Sequence, residues 1–508
     1  MSFLFYDFET TGADPRCDRP IQFAALRTND ALEPIEPPIT YYATLSPEVL
    51  PHPQAVLITG ILPQTLFEAG GTPEAEFAAH IHRAMMRPDT CAAGFNSLRF
   101  DAELLRFMFW RNLRDPYAHE WKNGNSRWDV LDAARAVRLL RPEGIQWPSD
   151  AQGKPTLRLS ALTSANAIAH TNAHDALGDV EATLALARLL RAQSPKLFDY
   201  LLNLRKKAVV ADFVDAPERE AFVHVSGRIS GEQGSASVFA NLGMVGGVST
   251  QRLLWDLRFD PTQVLDEAVD TLSARRFLCE ADAAPGEHRL PIKLLHLNRA
   301  PVVVSTAILN EASVVERMRL DTAAVHRHQQ AMQRHRREIA EKLQEVIANQ
   351  AEFAAQDAEC ALYDGFMPAV DRSRLDAFNR VFDQAISHSS AALQEEKVTT
   401  ALKGLLTQSW QDARLPTVVM RYVARTRPDL LAAPHRAEWQ AWVHARLMQT
   451  AEYPTANKAL GYTEFFTTID DLLENEPSGE TATRAVLRAL RAWGVDHAAG
   501  NGQQERTK

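Results

Sequence analysis

Two carboxylates stand two residues apart near the start of the chain. Asp7 and Glu9 lie within residues 3–12, FLFYDFETTG, whose apolar and aromatic first half is typical of a buried strand. Side chains two apart on a strand share a face, so Asp7 and Glu9 project together while Phe8 points to the opposite face. Paired carboxylates that lose hydration repel each other, and a divalent cation offsets that cost. Taken alone, such a pair is more often two solvated acids at a strand end.

Three residues further along the chain give this pair a chemical use. Asp101 stands where a helix is predicted to begin, and Asp179 lies about one turn into a helix predicted for residues 176–190. His174 precedes Asp179 by five residues, which is ~140° around a helix, so we predict it in the preceding loop. Taken singly, each is better explained as a cap, a dipole partner or a loop residue.

Together, the four acids and the histidine match a two-metal hydrolytic site. Four carboxylates can hold two divalent cations, one that activates a water and one that stabilises the leaving oxygen. A neutral histidine nearby can accept the proton of that water. Oxygen ligands favour Mg²⁺ or Mn²⁺ over zinc. The set therefore predicts metal-dependent hydrolysis of a phosphodiester.

The elements that must position these residues form an α/β domain over roughly residues 1–190. Strands are predicted at residues 3–12, 21–28 and 39–45, an order that favours an antiparallel meander, and again at 90–95. Thr72 and Pro73 are predicted as the N-cap and first residue of a helix. Further helices are predicted at residues 99–112, 128–140, 159–168 and 176–190, the last capped by Asp175. Strands followed by alternating helices and a strand indicate the α/β class.

The pattern changes after residue 195 and again after residue 350. Alternating stretches such as FVHV (222–225) and IKLLHL (292–297) predict a β-rich domain over residues 195–350. Residues 321–350 form a predicted helix dense in Arg and His, which a solvated face and phosphate contact explain equally well. Residues 351–497 are predicted to form an all-α domain, and the polar residues 498–508 a disordered tail.

Composition is ordinary for a globular protein of this size. The 508 residues are 45% hydrophobic and 23% charged, with a net charge of -9, which excludes a uniformly basic surface but not a local basic groove. The four cysteines, Cys17, Cys91, Cys279 and Cys360, lack metal-ligand spacing, and we expect reduced thiols in a cytoplasmic protein. We recognise no signal peptide and no apolar run of membrane-spanning length.

Short motifs then point to a known family. DFETTG (7–12), NSLRFD (96–101) and HDALGD (174–179) resemble the three motifs of the DEDD exonuclease superfamily, and the histidine five residues before the last acid resembles its DEDDh subgroup. Over nearly the whole chain the sequence is similar to the bacterial exonuclease I family. The similar segments are AVLITGI (55–61), DPYAHEW (115–121), NSRWDVLD (125–132), RPEGIQWP (141–148), NAHDA (172–176), LFDYL (197–201), HVSG (224–227) and LYDGF (362–366).

This resemblance implies a processive 3′→5′ exonuclease that degrades single-stranded DNA to 5′-mononucleotides with two Mg²⁺ ions, which Mn²⁺ can replace, in DNA repair and recombination. It implies a ribonuclease H-like exonuclease domain, an SH3-like middle domain and a helical C-terminal domain. By matching motif, Asp7, Glu9 and Asp179 would ligate metal and Asp101 would support the second ion. His174 would be the general base.

The resemblance also implies residues that bind the substrate. Phosphate contacts and base stacking are expected from Glu9, Arg158, Arg106, Tyr117, Trp121, Arg135 and Arg141, and more weakly from Arg205, Lys207, Lys293 and Arg299. The aromatic members are explained equally well as core residues.

A protein partner is implied as well. Family members bind the acidic C-terminal tail of single-stranded DNA-binding protein, and Arg141 and Tyr200 fall in the matching segments. Glu220 stands where a basic residue is expected, which weakens that expectation. We expect a monomer. Two other functions remain open: an exoribonuclease of the same superfamily, against which the two additional domains argue, and a non-catalytic DNA-binding accessory, against which all five site residues argue.

Overall fold

The structure is a computed structural model that describes residues 1–170, 175–279, 283, 288–349, 356–387, 391–454, 457, 459–476 and 481–506. Its first sheet has the order β3-β2-β1-β4-β5. The strands are β1 (Ser2–Thr10), β2 (Pro20–Thr28), β3 (Ile39–Tyr42), β4 (Thr90–Gly94) and β5 (Ser126–Asp129). The pairs β1–β2 and β2–β3 are antiparallel, which confirms the predicted meander, whereas β4 is parallel to β1 and β5 is parallel to β4.

Helices cover both faces of this sheet, which gives the predicted α/β class. They are α1 (Pro53–Thr59), α2 (Pro63–Glu68), α3 (Glu74–Met85), α4 (Asp101–Arg111), α5 (Val130–Leu140), α6 (Leu159–Ala165), α7 (Ala176–Gln193), α8 (Pro195–Asn203) and α9 (Lys207–Val214). The side chains of β1 alternate between two cores. Phe3 and Phe5 pack with α5 and α7, whereas Tyr6 and Phe8 pack with α3 and α4.

A second sheet is built from antiparallel neighbours in the order β10-β6-β7-β8-β9. Its strands are β6 (Phe222–Val225), β7 (Ala236–Val245), β8 (Val248–Asp256), β9 (Ile292–His296) and β10 (Val302–Ser305). The helices α10 (Gln263–Asp266), α11 (Val269–Arg276), α12 (Ala312–Met318) and α13 (Thr322–Ala348) accompany it. One continuous apolar core joins this sheet to α5 and α7, so the middle part of the chain is packed against the first.

The last part of the chain is helical: α14 (Ala369–Ser387), α15 (Ala391–Leu406), α16 (Leu415–Thr426), α17 (Ala433–Met448), α18 (Tyr462–Asn475) and α19 (Ala482–Arg506). Its core includes Phe107 and Trp110 of α4. Trp110 also donates its indole N–H to the Ala358 carbonyl at 3.0 Å. The helical part is therefore fixed to the helix that begins with Asp101. Within the described residues, no helix combines the length and the apolar character needed to cross a membrane.

The structure corrects several predicted boundaries. Helix α3 has Pro73 rather than Thr72 as its N-cap, with Pro73 in an extended conformation. Trp128 belongs to β5 instead of starting a helix, because residues 126–129 pair in parallel with β4. Residues 498–506 continue α19 instead of forming a disordered tail. Packing explains the last difference, since Asn501 donates to the Pro47 carbonyl at 3.3 Å.

Candidate active site

Three carboxylates converge at the end of β1. Oxygens of Asp7, Glu9 and Asp179 lie within 4.8 Å of one another, and among the described residues they form the group of side chains suited to hold a metal ion. Glu9 is buried, and the Asp179 side chain is 21% exposed. The structure thus brings together three of the acids that the sequence predicted. All three offer hard oxygen donors, which suit Mg²⁺ or Mn²⁺.

Asp101 lies beside this group without belonging to it. It is the first residue of α4 and is 4% exposed. Its charge contributes to raising the pKa of both Asp7 and Glu9, so the fourth predicted acid is also close to the site.

Burial and mutual repulsion dominate the electrostatics of the four acids. Burial, followed by the charges of Asp179 and Asp101, raises the pKa of Glu9 to about 8. Burial likewise raises the pKa of Asp101 to about 8, and the pKa of Asp7 rises well above its ordinary value for the same reason, with Asp101 and Glu9 adding to it. These groups pay a large cost to ionise together, and bound cations remove that cost.

The backbone of β1 and the N-terminus of α7 bring the acids into contact. Glu9 lies opposite Gln22 of β2 in the sheet register. Gln22 donates its amide N–H to Asp175 at 2.7 Å, and Asp175 caps α7 by accepting from the Gly178 amide at 3.3 Å. This cap anchors the first turn of α7 beside Glu9, so that Asp179 faces Asp7 and Glu9. It also directs the positive end of the helix dipole toward the acids.

Asp129, a carboxylate to which the sequence analysis gave no role, shapes the loop before Asp101. It accepts hydrogen bonds from the backbone amides of Asn96, Leu98 and Leu131 at 3.0–3.1 Å, and burial raises its pKa to about 7. The same loop requires Gly94, because a Cβ there would lie 2.9 Å from the Tyr6 carbonyl oxygen. The N-cap position of Asp129 before an apolar helix was a signal that could have identified it.

The predicted general base lies outside the described residues, which omit residues 171–174 and hence His174. Among the described residues, His170, which the sequence analysis missed, lies at the site. Its Nε2 is 2.5 Å from Asp179 Oδ1. The only sequence signal for His170 was its position nine residues before Asp179, and that spacing matches none of the three exonuclease motifs.

Three family models match the chain in succession. They are the exonuclease (RNase_T) model over residues 4–187, the exonuclease I SH3-like domain over residues 205–349 and the exonuclease I C-terminal domain over residues 356–497. The chain is 44% identical to exodeoxyribonuclease I of Escherichia coli over 308 residues, which are 61% of this chain and 64% of that protein. It is 39% identical to exodeoxyribonuclease I of Haemophilus influenzae over 330 residues, 64% of this chain and 70% of that protein.

The chain belongs to the exonuclease I family.

Solved structures of family members share the whole fold. The chain superposes on exonuclease I from Methylocaldum szegediense with a TM-score of 0.86 at 37% identity, covering 98% of this chain and 99% of that chain. Escherichia coli exonuclease I in complex with a dA16 oligonucleotide gives a TM-score of 0.86 at 33% identity, with coverage of 98% and 99%. A zinc-bound form of the Escherichia coli protein with single-stranded DNA gives 0.85 at 32% identity, with the same coverage. The predicted fold class, a mixed α/β exonuclease domain, a β-rich SH3-like domain and a helical domain, is confirmed.

Two of the arginines predicted as substrate contacts are paired with acids in this chain. Arg106 is 4% exposed and binds Glu120 with two N–H groups at 2.7 and 2.9 Å. Arg135 binds Asp132 at 2.5 Å. The Arg106 guanidinium also lies over the Tyr117 ring, 5.3 Å from its centroid. These ion pairs hold both arginines within the exonuclease domain, and their contact with substrate stays a prediction.

Other suggested contacts are open to solvent. Trp121 is 62% exposed, and Arg158 is exposed at the N-cap of α6. Lys207 is the exposed first residue of α9. Arg205, by contrast, donates to the Leu202 carbonyl at 2.8 Å. The exposed side chains are free to meet a ligand without breaking a buried contact.

Lys293 and Arg299 lie in a groove of about 1040 Å³ between the exonuclease and SH3-like domains, which has Arg99 and Asp132 on one side and Arg228 and His296 on the other. Lys293 donates to Ser226 Oγ at 2.7 Å. Burial, with the charges of Arg228 and Arg99, lowers its pKa to about 8. The backbone approaches closely here, because a Cβ on Gly227 would lie 2.6 Å from Cζ of Arg135. The groove therefore gathers positive charges that depress the pKa of Lys293, the reverse of the acidic site.

The residues predicted to bind single-stranded DNA-binding protein lie in or close to the exonuclease and SH3-like domains. Arg141 is paired with Glu311 at 3.0 Å, and its side chain is 50% exposed. Tyr200 donates its hydroxyl to the Val303 carbonyl at 2.7 Å. Glu220 accepts from Gln329 of α13 at 2.9 Å.

Proposed function

We propose that this chain is a metal-dependent, processive 3′→5′ exonuclease that degrades single-stranded DNA to 5′-mononucleotides. The observation that carries this proposal is the convergence of Asp7, Glu9 and Asp179 within 4.8 Å. Membership of the exonuclease I family supports the direction and the substrate class. The exonuclease I relative from Escherichia coli has been solved with a dA16 oligonucleotide.

The residues present fit a pair of divalent cations. Their donors are carboxylate oxygens, and their raised pKa values reflect a repulsion that cations relieve. When bound, the cations supply an activated water and stabilisation of the leaving oxygen. We assign Mg²⁺, with Mn²⁺ as a substitute, on the preference of hard oxygen ligands. A zinc-bound form of the Escherichia coli relative is consistent with a divalent metal site.

Each side chain then has a role in hydrolysis. Asp7, Glu9 and Asp179 hold cations and fix the position of the scissile phosphate, and Asp101 supports the second ion. His174, in the segment before α7, takes the proton from the attacking water. In this scheme the acids stay ionised throughout the reaction. The neutral histidine accepts one proton from the attacking water and later releases it.

The basic groove supports a path for the strand. The charges of Arg228 and Arg99 help to lower the pKa of Lys293, so a phosphate backbone that enters the groove relieves this repulsion. Arg99 is two residues before Asp101, which connects the groove to the acidic site. Trp121 and Phe366, 62% and 87% exposed, offer faces on which bases can stack. Lys207 and Arg158 are further phosphate contacts in this proposal.

The same proposal includes a protein partner, the acidic C-terminal tail of single-stranded DNA-binding protein. Arg141 is the side chain that would receive a carboxylate of that tail. Glu311 already pairs with it, so the tail must displace an internal acid. We therefore expect a weaker interaction here than in a relative with an unpaired arginine.

A direct comparison of substrates tests the function. End-labelled DNA and RNA oligomers of the same sequence are incubated with the full chain and Mg²⁺, with Asp179→Ala as the matched control. We expect stepwise loss of nucleotides from the 3′ end of the DNA, slower loss from RNA, and none with the variant. Faster turnover of RNA would instead establish an exoribonuclease. If Asp179→Ala degrades DNA as fast as the wild type, the proposed active site is wrong.

A further inference from the structure

His170 and Asp179 make a short contact on the edge of the acidic site. His170 Nε2 lies 2.5 Å from Asp179 Oδ1, and the His170 side chain is 7% exposed. On its other side, His170 Nδ1 lies 3.2 Å from the hydroxyl of Thr163, a residue of α6 that is 1% exposed. A partly buried chain of hydrogen bonds therefore runs from α6 through His170 to Asp179.

The chemistry of these groups gives the direction of the hydrogen bond at Asp179. An ionised carboxylate only accepts, so His170 donates its Nε2–H. The Thr163 hydroxyl also lies 3.0 Å from the Ser160 carbonyl, and it accepts from Nδ1–H while donating there, or turns its proton to an unprotonated Nδ1. A carboxylate has about four lone-pair positions on its two oxygens. Asp179 can consequently accept from His170 and still present an oxygen toward Asp7 and Glu9.

Asp179 has greater need of such support than its partners. Asp7 and Glu9 are carried by β1, which pairs with β2 in regular register from Phe3 to Glu9. Asp179 instead lies in the first turn of α7. Its carboxylate must turn from the helix toward the strand, and a hydrogen bond to a buried histidine restricts that rotation.

We propose that His170 is a positioning residue that holds the Asp179 carboxylate in its ligating orientation, and that Thr163 fixes the His170 ring. The inference rests on the proposed metal site and adds a residue to it. His170 does not touch the substrate in this scheme. Partners that orient metal ligands in this manner typically change metal affinity by 10–100-fold when they are replaced.

Metal affinity, measured without DNA, tests this role. Binding of Mn²⁺ alone is followed by electron paramagnetic resonance for the wild type, His170→Ala, His170→Gln and Thr163→Val. We expect His170→Ala to weaken Mn²⁺ binding 10–100-fold. His170→Gln keeps an N–H donor and should recover most of the affinity, and Thr163→Val should give a smaller loss. His326→Ala, at an exposed histidine of α13, is the matched control and should not change the affinity.

A double mutant separates positioning from a general loss of structure. In an Asp179→Ala background, His170→Ala should change the affinity less than about twofold, because the carboxylate that it orients is gone. Wild-type affinity in His170→Ala or in Thr163→Val would overturn the proposal, as would an equal loss with and without Asp179. If the wild type itself binds no Mn²⁺, the proposed metal site fails, and that result is distinct from a failure confined to the His170 variants.

Discussion

The repulsion between the acids predicts that the active site destabilises the metal-free protein. Burial and the neighbouring acids raise the pKa of Glu9 from 4.5 to about 8. Each pKa unit corresponds to ~1.4 kcal/mol, so ionised Glu9 costs the fold about 4 kcal/mol at pH 8. The nearly isosteric change Glu9→Gln removes the charge, and we expect it to stabilise the metal-free protein by an amount of that order.

The sign of the pH dependence follows from the raised pKa. Below pH 4.5 Glu9 is protonated in both the folded and the unfolded chain, and the variant gains nothing. As the pH rises from 4.5 to 8, the unfolded chain ionises first, so the folded protein loses relative stability. The gain from Glu9→Gln should therefore grow from about 1 kcal/mol at pH 5 to about 4 kcal/mol at pH 8.

Urea and thermal unfolding in EDTA, at pH 5 and pH 8, measure this gain. Glu143→Gln, at an exposed glutamate, is the matched control. Saturating Mg²⁺ should stabilise the wild type and leave Glu9→Gln nearly unchanged, because a ligand stabilises only the state that binds it. The reasoning is refuted if Glu9→Gln is no more stable than the wild type at pH 8 in EDTA, or if its gain is the same at both pH values.

Four other expectations follow from the site and its supports. His174→Ala should lower kcat by ~10²–10⁴ while DNA binding persists, since it removes the proton acceptor; an unchanged rate in single-turnover assays would place the base elsewhere. Ca²⁺ in place of Mg²⁺ should preserve binding and suppress cleavage because its coordination is looser, and full turnover in Ca²⁺ would contradict the two-metal scheme. Trp121→Ala should weaken binding of a labelled single strand by ~1–3 kcal/mol in fluorescence anisotropy, with unchanged stability because the side chain is 62% exposed; unchanged anisotropy would exclude stacking there. Glu359→Gln should destabilise the fold by ~3 kcal/mol in urea unfolding, because buried Arg425 and Arg19 lose one of their carboxylate partners and keep Glu48 as a shared one. An effect below ~1 kcal/mol would show that Glu48 compensates for the loss.

The sequence alone determined the features that depend on local geometry. The two-residue period of a strand placed Asp7 and Glu9 on one face and Phe8 on the other, and β1 has that arrangement. The cap at Asp175 and the helix that carries Asp179 also followed from neighbouring residues. The family motifs indicated three domains in the observed order. Such features are predictable because the residues that produce them are adjacent in the chain.

Only the tertiary structure decided which distant side chains share a partner. Arg106 and Arg135 were predicted to contact substrate, and the fold adds ion pairs to Glu120 and Asp132 that the sequence did not predict. His170 was not assigned at all, because its contact with Asp179 and Thr163 depends on how α6 and α7 pack. Residues 498–506 have the composition of a loose tail and are nevertheless helical. In each case the contacts depend on which groups the fold brings within a few ångströms of one another. The spacing of residues in the sequence does not determine that distance.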